Sequence, residues 1–256
     1  MIRSTVKKST SDTEFLITVV TVVFNFKDEI ENTILSITTQ SYKNIEYIII
    51  DGGSVDGTLD VIEKYRSNIK ICISEADGGI YDAMNKALKI ATGDFLIFMN
   101  AGDVFCSKHT VRQAVQNMNR PDVVYYGNAL YINKTTNSTV HRGGAFSKYR
   151  LAKTNICHQT IFYPRIAYLR TQYELKYRLY ADWHYNIKLF SMLKFVFIDQ
   201  DIAVYDHTGL SALNEDQLFK QNRLMLVNQF LGFDTIIYLT INKLTKLIFR
   251  GSSAKH

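Results

Sequence analysis

Proline is almost missing from this chain, with two among 256 residues, and no residue type forms a long run, which excludes the low-complexity and disordered classes. Cysteine is scarce too. Cys72, Cys106 and Cys157 are odd in number and far apart, which argues for reduced thiols inside a cell and against a disulfide framework. No apolar run reaches transmembrane length, and the polar stretch before Phe15 lacks the apolar core of a signal peptide. Also missing are a Cys/His finger, a helix-turn-helix and an aromatic RNA-binding box, so a formal charge of +6 does not point to nucleic acid. It favours an anionic partner or surface of another kind.

What is present is a folded α/β pattern of 46% hydrophobic residues in which short apolar runs stop at polar turns. Asp94-Phe-Leu-Ile-Phe-Met ends in Asn100-Ala101-Gly-Asp103. Ile45-Glu-Tyr-Ile-Ile-Ile ends in Asp51-Gly-Gly53-Ser-Val-Asp-Gly-Thr58, and Phe15 to Phe24 runs into Asn25. Helical patterns separate these runs, so several amide and carboxylate side chains are expected along one edge of a mostly parallel sheet flanked by helices. In open α/β sheets that edge is where ligands bind. For any one of these residues alone, capping a helix or shaping a turn is the commoner role, and the repeated placement is what favours a site.

Along the chain, residues 1–14 read as a disordered lead. Ile30, Ile34 and Ile37 mark one apolar helical face, Leu59 and Ile62 a second helix, and Tyr81, Met84 and Leu88 a third, with Asn85 beside them. Asp77-Gly-Gly lets the chain enter that third helix tightly. The order after Ile50 is not G-x-G-x-x-G, which disfavours a dinucleotide-dependent dehydrogenase. A helix is expected over His109–Met118, strands over Val123–Tyr126 and Phe195–Ile198, a turn over Asn133–Ser138 and a polar, mobile loop over Asp199–Ser211.

Cys157-His158 invites a metal or thiol-nucleophile reading. The stretch reads as a loop entering a strand, where neighbours point to opposite faces, and the ligand spacings of zinc sites are absent. Asp182 opens a helix as a cap or first-turn acid, with Trp183 and Tyr185 as candidates to line a cleft beside it. From Leu224 to Arg250 apolar helical positions alternate with Lys243, Lys246 and Arg250, either an end helix packed on the domain or an interfacial helix resting on an anionic membrane.

Four motifs together, Thr21-Val-Val-Phe24-Asn25, Asp51-Gly-Gly-Ser-Val-Asp-Gly-Thr58, Glu75-Ala-Asp-Gly-Gly-Ile-Tyr-Asp-Ala-Met-Asn-Lys86 and Phe98-Met-Asn-Ala-Gly-Asp103, resemble the inverting glycosyltransferases with the A-type fold, family 2. The bacterial branch that assembles capsule, lipopolysaccharide O-antigen and exopolysaccharide is the nearest in pattern, over about residues 15–210. The resemblance implies residues 15–126 as the nucleotide-sugar half, 127–222 as the acceptor and catalytic half, and 223–256 as a helical extension. It implies a donor-binding set of Thr21, Phe24, Asn25, Asp51, Gly53, Asp77, Asn85, Asn100, Ala101 and His207. Asp103 falls on the metal-binding acid for Mn2+ or Mg2+, and Asp182 on the catalytic base. His207 or Arg142 would help neutralise the leaving diphosphate.

The sequence departs from the family pattern twice. Gly52 stands where a second Asp is common, and Asn100-Ala-Gly-Asp103 replaces Asp-x-Asp-Asp, leaving one carboxylate. The activity implied is transfer of a sugar from a nucleotide diphosphate, UDP-linked, to a hydroxyl of a saccharide or lipid-linked acceptor, in the cytoplasm or at the inner face of the membrane. The alternative from another class is a catalytically silent nucleotide or sugar-binding module.

Overall fold

Every residue of β1 (Ile17–Val23) is buried, so β1 lies inside the sheet rather than at its rim. The computed structural model describes residues 14–133, 138–206 and 215–252; the expected lead lies almost wholly outside these residues. β1 pairs in parallel with β2 (Ile45–Asp51) on one side and β4 (Phe95–Phe98) on the other, and β2 pairs with β3 (Ile71–Ser74). Beyond β4 the sheet becomes mixed. Its order is β3-β2-β1-β4-β8-β6-β9-β5, built with β5 (Val104–Phe105), β6 (Val124–Asn133), β8 (Ile161–Pro164) and β9 (Phe195–Asp206). β7 (Ser138–Arg142) pairs with β6, so the expected hairpin forms, although residues 134–137 at its tip lie outside the described residues.

Alternation along the strands divides the core between two faces. Val20, Val22, Ile48, Ile50, Leu96 and Phe98 point to one side, while Ile17, Val19, Ile49, Phe95 and Ile97 point to the other. The first face is covered by α3 (Ile80–Ile90), α6 (Arg165–Arg170), α7 (Ala181–Phe190) and α8 (Gln217–Leu231). The second takes α1 (Lys27–Thr38), α2 (Thr58–Glu63) and α4 (Thr110–Gln116). The predicted inward faces of α1 and α3 are buried as the spacing requires. A mixed α/β sheet flanked by helices, with a helical C-terminus, is the architecture expected.

The polar stretch 199–206, read from its sequence as loop, is strand. β9 continues through it in parallel with β6 across a register shift between Tyr126 and Ala129, with Ile202 and Ala203 buried. A Cβ at Gly127 would lie 2.5 Å from the Gln200 carbonyl, so only glycine admits this approach. The expected boundaries at 126/127 and 222/223 fall inside β6 and α8. The halves therefore share one sheet, and α8 buries Phe219, Leu226, Val227 and Leu231 as part of the same core.

At Gly232 the chain turns from α8 into α9 (Phe233–Ser252). Lys148 Nζ at 2.7 Å and Tyr149 Oη at 2.9 Å reach Asp234 from α5 (Lys148–Leu151), anchoring the start of α9. Among the described residues no helix is long and apolar enough to cross a membrane.

Candidate active site

The C-terminal ends of β2, β1 and β4 lie side by side, so the three polar turns read from the sequence share one edge. The loops after β1 and β2 are sewn together. The Asn25 N–H donates to Ser54 Oγ at 2.8 Å, its Oδ1 accepts from Val55 N at 2.9 Å, and Phe26 N donates to Thr58 Oγ1 at 2.9 Å. Asn25 adopts φ 49°, a left-handed value that asparagine tolerates. The Asp56 carboxylate accepts from Thr58 N, Thr58 Oγ1 and Lys27 N, and the Thr58 hydroxyl leads the contacts that lower its pKa.

This double loop carries Phe24 and Val55 at the mouth, 61% and 89% exposed, and a ring left open beside a polar cleft is suited to stack a base. Asp77 stays partly exposed, its Oδ1 accepting from Gly79 N at 2.8 Å.

Other expected donor contacts face inward. Asp51 is fully buried and accepts from Gly53 N, Ser54 N, Ser54 Oγ and Ser74 Oγ, so its carboxylate holds the 51–54 loop in shape. Gly53, at φ 84°, takes the positive φ this loop needs. Thr21 Oγ1 donates to the Met99 carbonyl at 2.8 Å and lies 3.1 Å from Tyr47 Oη, a pin between strands inside the core. Asn85 closes a two-bond clamp on the Tyr173 peptide, Nδ2 to O at 2.9 Å and N to Oδ1 at 2.8 Å. These three side chains, expected at the donor, are buried and hydrogen-bonded within the protein. The Ala101 N–H is likewise committed to the Val22 carbonyl.

Asn100 and Asp103 close the turn after β4, with Asp103 N donating to Asn100 O at 3.0 Å. Thr33 on α1 braces it, accepting from Gly102 N and donating to the Asp103 carbonyl. Both side chains are buried and both meet the 3₁₀ turn His158–Thr160. Gln159 Nε2 donates to Asp103 Oδ2 at 2.7 Å, and His158 Nε2 lies 3.0 Å from Asn100 Nδ2. On its other side His158 Nδ1 is 3.2 Å from Asp182 Oδ2. Neighbours on a 3₁₀ turn fan out by about a third of a circle rather than alternating, so His158 and Gln159 serve adjacent groups. The extended segment expected from the sequence would have separated these neighbours; the 3₁₀ turn brings both to the site. A His-Gln pair immediately before a buried strand was the available signal.

Asp182 is 8% exposed on the first turn of α7 and accepts from Tyr81 Oη at 3.0 Å, Trp183 N at 2.8 Å and Asn155 Nδ2 at 2.8 Å besides His158. Burial first, and the Asp182 charge second, push the Tyr81 phenol well above its ordinary range, so it remains a donor to this carboxylate. Tyr185 and Trp183 do not line a cleft. Tyr185 is fully buried and stacked on Tyr173 at 4.4 Å, while the Trp183 indole donates to the Leu151 carbonyl and packs on Phe219. His184 packs near Tyr177 and Phe230, and burial lowers its pKa to about 4.

Burial pushes the Cys157 thiol up to about 12, with the Asp103 charge adding to it, so no thiolate nucleophile forms here. Arg142 lies exposed on β7 with its guanidinium over the Tyr131 ring at 4.6 Å. His207 lies outside the described residues.

Asn100 Oδ1 is buried without a protein partner. Among the described residues no cluster of three His, Cys, Asp or Glu could hold a metal. A hard divalent ion accepts oxygen ligands and keeps waters, so Asn100 Oδ1 and the Asp103 carboxylate fit such an ion only as a partial set that a diphosphate and water would complete.

Solved structures share this architecture. TarS of S. aureus, residues 1-349 in complex with UDP-GlcNAc, superposes with TM-score 0.64 at 18% identity over 84% of this chain and 71% of that one. A mannosyltransferase from Pyrobaculum calidifontis, in complex with GDP-Man and Mn2+, gives 0.60 at 17% identity over 85% and 62%. The fold is thus the A-type glycosyltransferase fold. Residues 18–203 match glycosyl transferase family 2, and the chain belongs to that family of enzymes. It is 33% identical over 225 residues to a PGL/p-HBAD biosynthesis glycosyltransferase of Mycobacterium tuberculosis, covering 84% of this chain and 86% of that one. Over 120 residues, 46% of this chain and 47% of the other, it is 35% identical to an Escherichia coli UDP-Glc:alpha-D-GlcNAc-diphosphoundecaprenol beta-1,3-glucosyltransferase.

Proposed function

We propose that this enzyme transfers a sugar, with inversion, from a UDP-linked donor to a hydroxyl of a lipid-linked saccharide in surface glycoconjugate biosynthesis. One observation carries the reading: Asp103, Gln159, Asn100, His158 and Asp182 form adjoining hydrogen-bonded pairs from the end of β4 to the start of α7. The donor-side turn and a carboxylate on the opposite element are thereby held at one place. UDP as the nucleotide is supported by UDP-GlcNAc in the S. aureus structure and UDP-Glc in the E. coli relative's name. The lipid-linked acceptor is supported by that same name.

Asp182 takes the proton of the acceptor hydroxyl, whose oxygen forms the new bond to the anomeric carbon. The bond from that carbon to the diphosphate oxygen breaks, and its electron pair leaves with the nucleoside diphosphate. Attack from the side opposite the leaving group inverts the centre. Phe24 lies against the base, Asp77 reaches the donor, and Asn25, Asp51 and Gly53 shape the loops around it. Asn100 Oδ1 and Asp103 would hold a divalent ion, Mn2+ or Mg2+, which when bound offsets the charge of the diphosphate.

The test is a panel of nucleotide sugars with a lipid-linked acceptor, run with Mn2+, Mg2+ and chelator, on the parent and on Asp103→Ala. UDP-sugar turnover that chelator and Asp103→Ala both remove is the expected result. Donor binding without turnover on any acceptor would leave the silent binding module standing instead.

Two apolar sides on α9 support work at a membrane surface. Ile236 and Leu239 pack inward, whereas Phe233, Ile237, Ile241 and Leu244 form an exposed stripe beside Lys243.

A further inference from the structure

We infer that His158 is a positioning residue that sets two groups at once: the orientation of the Asn100 amide on the donor side and the carboxylate of Asp182 on the acceptor side. The inference rests on the glycosyl transfer proposed above and extends it to a residue outside the four motifs.

Asn100 turns its amide nitrogen to His158 Nε2 at 3.0 Å. An amide NH2 only donates, so Nε2 must accept, which leaves the ring proton on Nδ1. Nδ1 is the atom that faces Asp182 Oδ2 at 3.2 Å, and a carboxylate is an acceptor there. Each contact therefore requires the same tautomer. The ring is mostly buried, and the 3₁₀ turn that carries it is tied down on the next residue by the Gln159 to Asp103 bond.

Two consequences follow. With its nitrogen engaged, Asn100 keeps Oδ1 on the other side of the amide, buried and without a protein partner, which is the oxygen left over for the donor side. At Asp182 the imidazole and Asn155 both hold Oδ2, while Tyr81 and the Trp183 N–H hold Oδ1. These bonds fix the plane of the carboxylate. An asparagine in place of Asp at position 100 thus has a use of its own: it gives a donor to Nε2 where a carboxylate would face a ring nitrogen without a proton.

The two contacts can be removed separately. His158→Asn keeps an N–H near the Nδ1 position for Asp182 but cannot reach Asn100. His158→Gln places an amide near the Nε2 position for Asn100 but gives up the bond to Asp182. We expect His158→Gln to lower kcat by about 30-fold, with KM for the donor and calorimetric affinity for UDP near the parent's. We expect His158→Asn to keep kcat within about fivefold while UDP binds several-fold more weakly, the scale of a misplaced group in an enzyme site. His158→Ala should lose both. Equal behaviour of the Asn and Gln variants, or kcat and UDP affinity unchanged in all three, overturns the inference.

A second measurement does not depend on turnover. Nitrogen-15 spectra of the folded parent, assigned by the signal missing in His158→Asn, should show a protonated Nδ1 and a bare Nε2 on His158. The opposite tautomer overturns the inference. A parent that has this tautomer but transfers no sugar defeats the proposed function and leaves the positioning geometry intact.

Discussion

The Asp77 carboxylate occupies the space that a side chain at position 52 would need: a Cβ on Gly52 would lie 2.7 Å from Asp77 Oδ2 and 3.4 Å from the Phe24 ring. The family pattern places a second acid at position 52. Here the acid that reaches that spot comes from the loop after β3.

Substitution at Gly52 therefore tests the donor contact proposed for Asp77 rather than the fold. Asp77 Oδ2 is the end of a side chain and can swing away, so Gly52→Ala should melt within a few degrees of the parent. With Asp77 displaced and the Phe24 ring crowded, UDP affinity should fall by roughly tenfold, the scale of about 1.4 kcal/mol. Gly52→Asp, which restores the family pair, should bind UDP no better than the alanine variant. Calorimetric titration with UDP decides it, and tighter binding by Gly52→Asp would mean that Asp77 does not reach the donor.

Asp182→Asn should lose transfer by roughly 100-fold or more, the scale of a lost general base, while UDP binds as before. A helix-capping role alone would leave such a variant melting near the parent, because an amide can also cap. The carboxylate is not a cap; it gathers donors from Tyr81, Asn155, His158 and Trp183. An amide NH2 facing that set leaves buried donors unpaired, so a cost of about 1–3 kcal/mol is expected. Thermal melts beside transfer assays check both parts. Activity within a few-fold of the parent would move the base elsewhere.

At the opposite edge of the sheet, Glu46 is buried and accepts from Thr18 Oγ1, Thr92 N and Thr92 Oγ1. Burial alone would raise its pKa, but these bonds together outweigh burial and hold it below the ordinary value of 4.5. A depressed carboxylate lends stability above its unfolded pKa and loses it as pH falls through the folded one. The parent should thus exceed Glu46→Gln in stability at pH 6–7, by about 1–3 kcal/mol for charged hydrogen bonds, and the gap should close below pH 4.5. Urea melts across that range give the answer; a gap that stays constant with pH would assign the loss to packing.

Membrane contact by α9 is better tested on its outer stripe than by truncation. Removing the chain from Leu224 would take Leu226, Val227 and Leu231 out of the core. Ile237→Glu with Ile241→Glu leaves that core untouched. The double variant should melt like the parent and lose most of its sedimentation with anionic vesicles. Undiminished vesicle binding would make the stripe a surface for something other than lipid.

Local pattern by itself determined that β1, β2 and β4 exist, that they run in parallel, and that Asn25, Asp51 and Asn100 sit at their C-terminal ends. Apolar runs broken by amides and carboxylates have few other solutions, and helical spacing at Ile30, Ile34 and Ile37 supplied the crossovers. What no local rule could decide is which way each polar side chain turns once the loops meet. Thr21, Asp51 and Asn85 read as ligands in the chain, and in the fold Met99, Ser74 and Tyr173 arrive from distant segments to share their hydrogen bonds. His158 looks incidental in the chain. It stands between Asn100 and Asp182, residues 58 and 24 positions away, only because the sheet order β1-β4-β8 brings its 3₁₀ turn up to the end of β4. The strand pattern is a property of neighbours in sequence, whereas the partner of a buried donor is a property of neighbours in space.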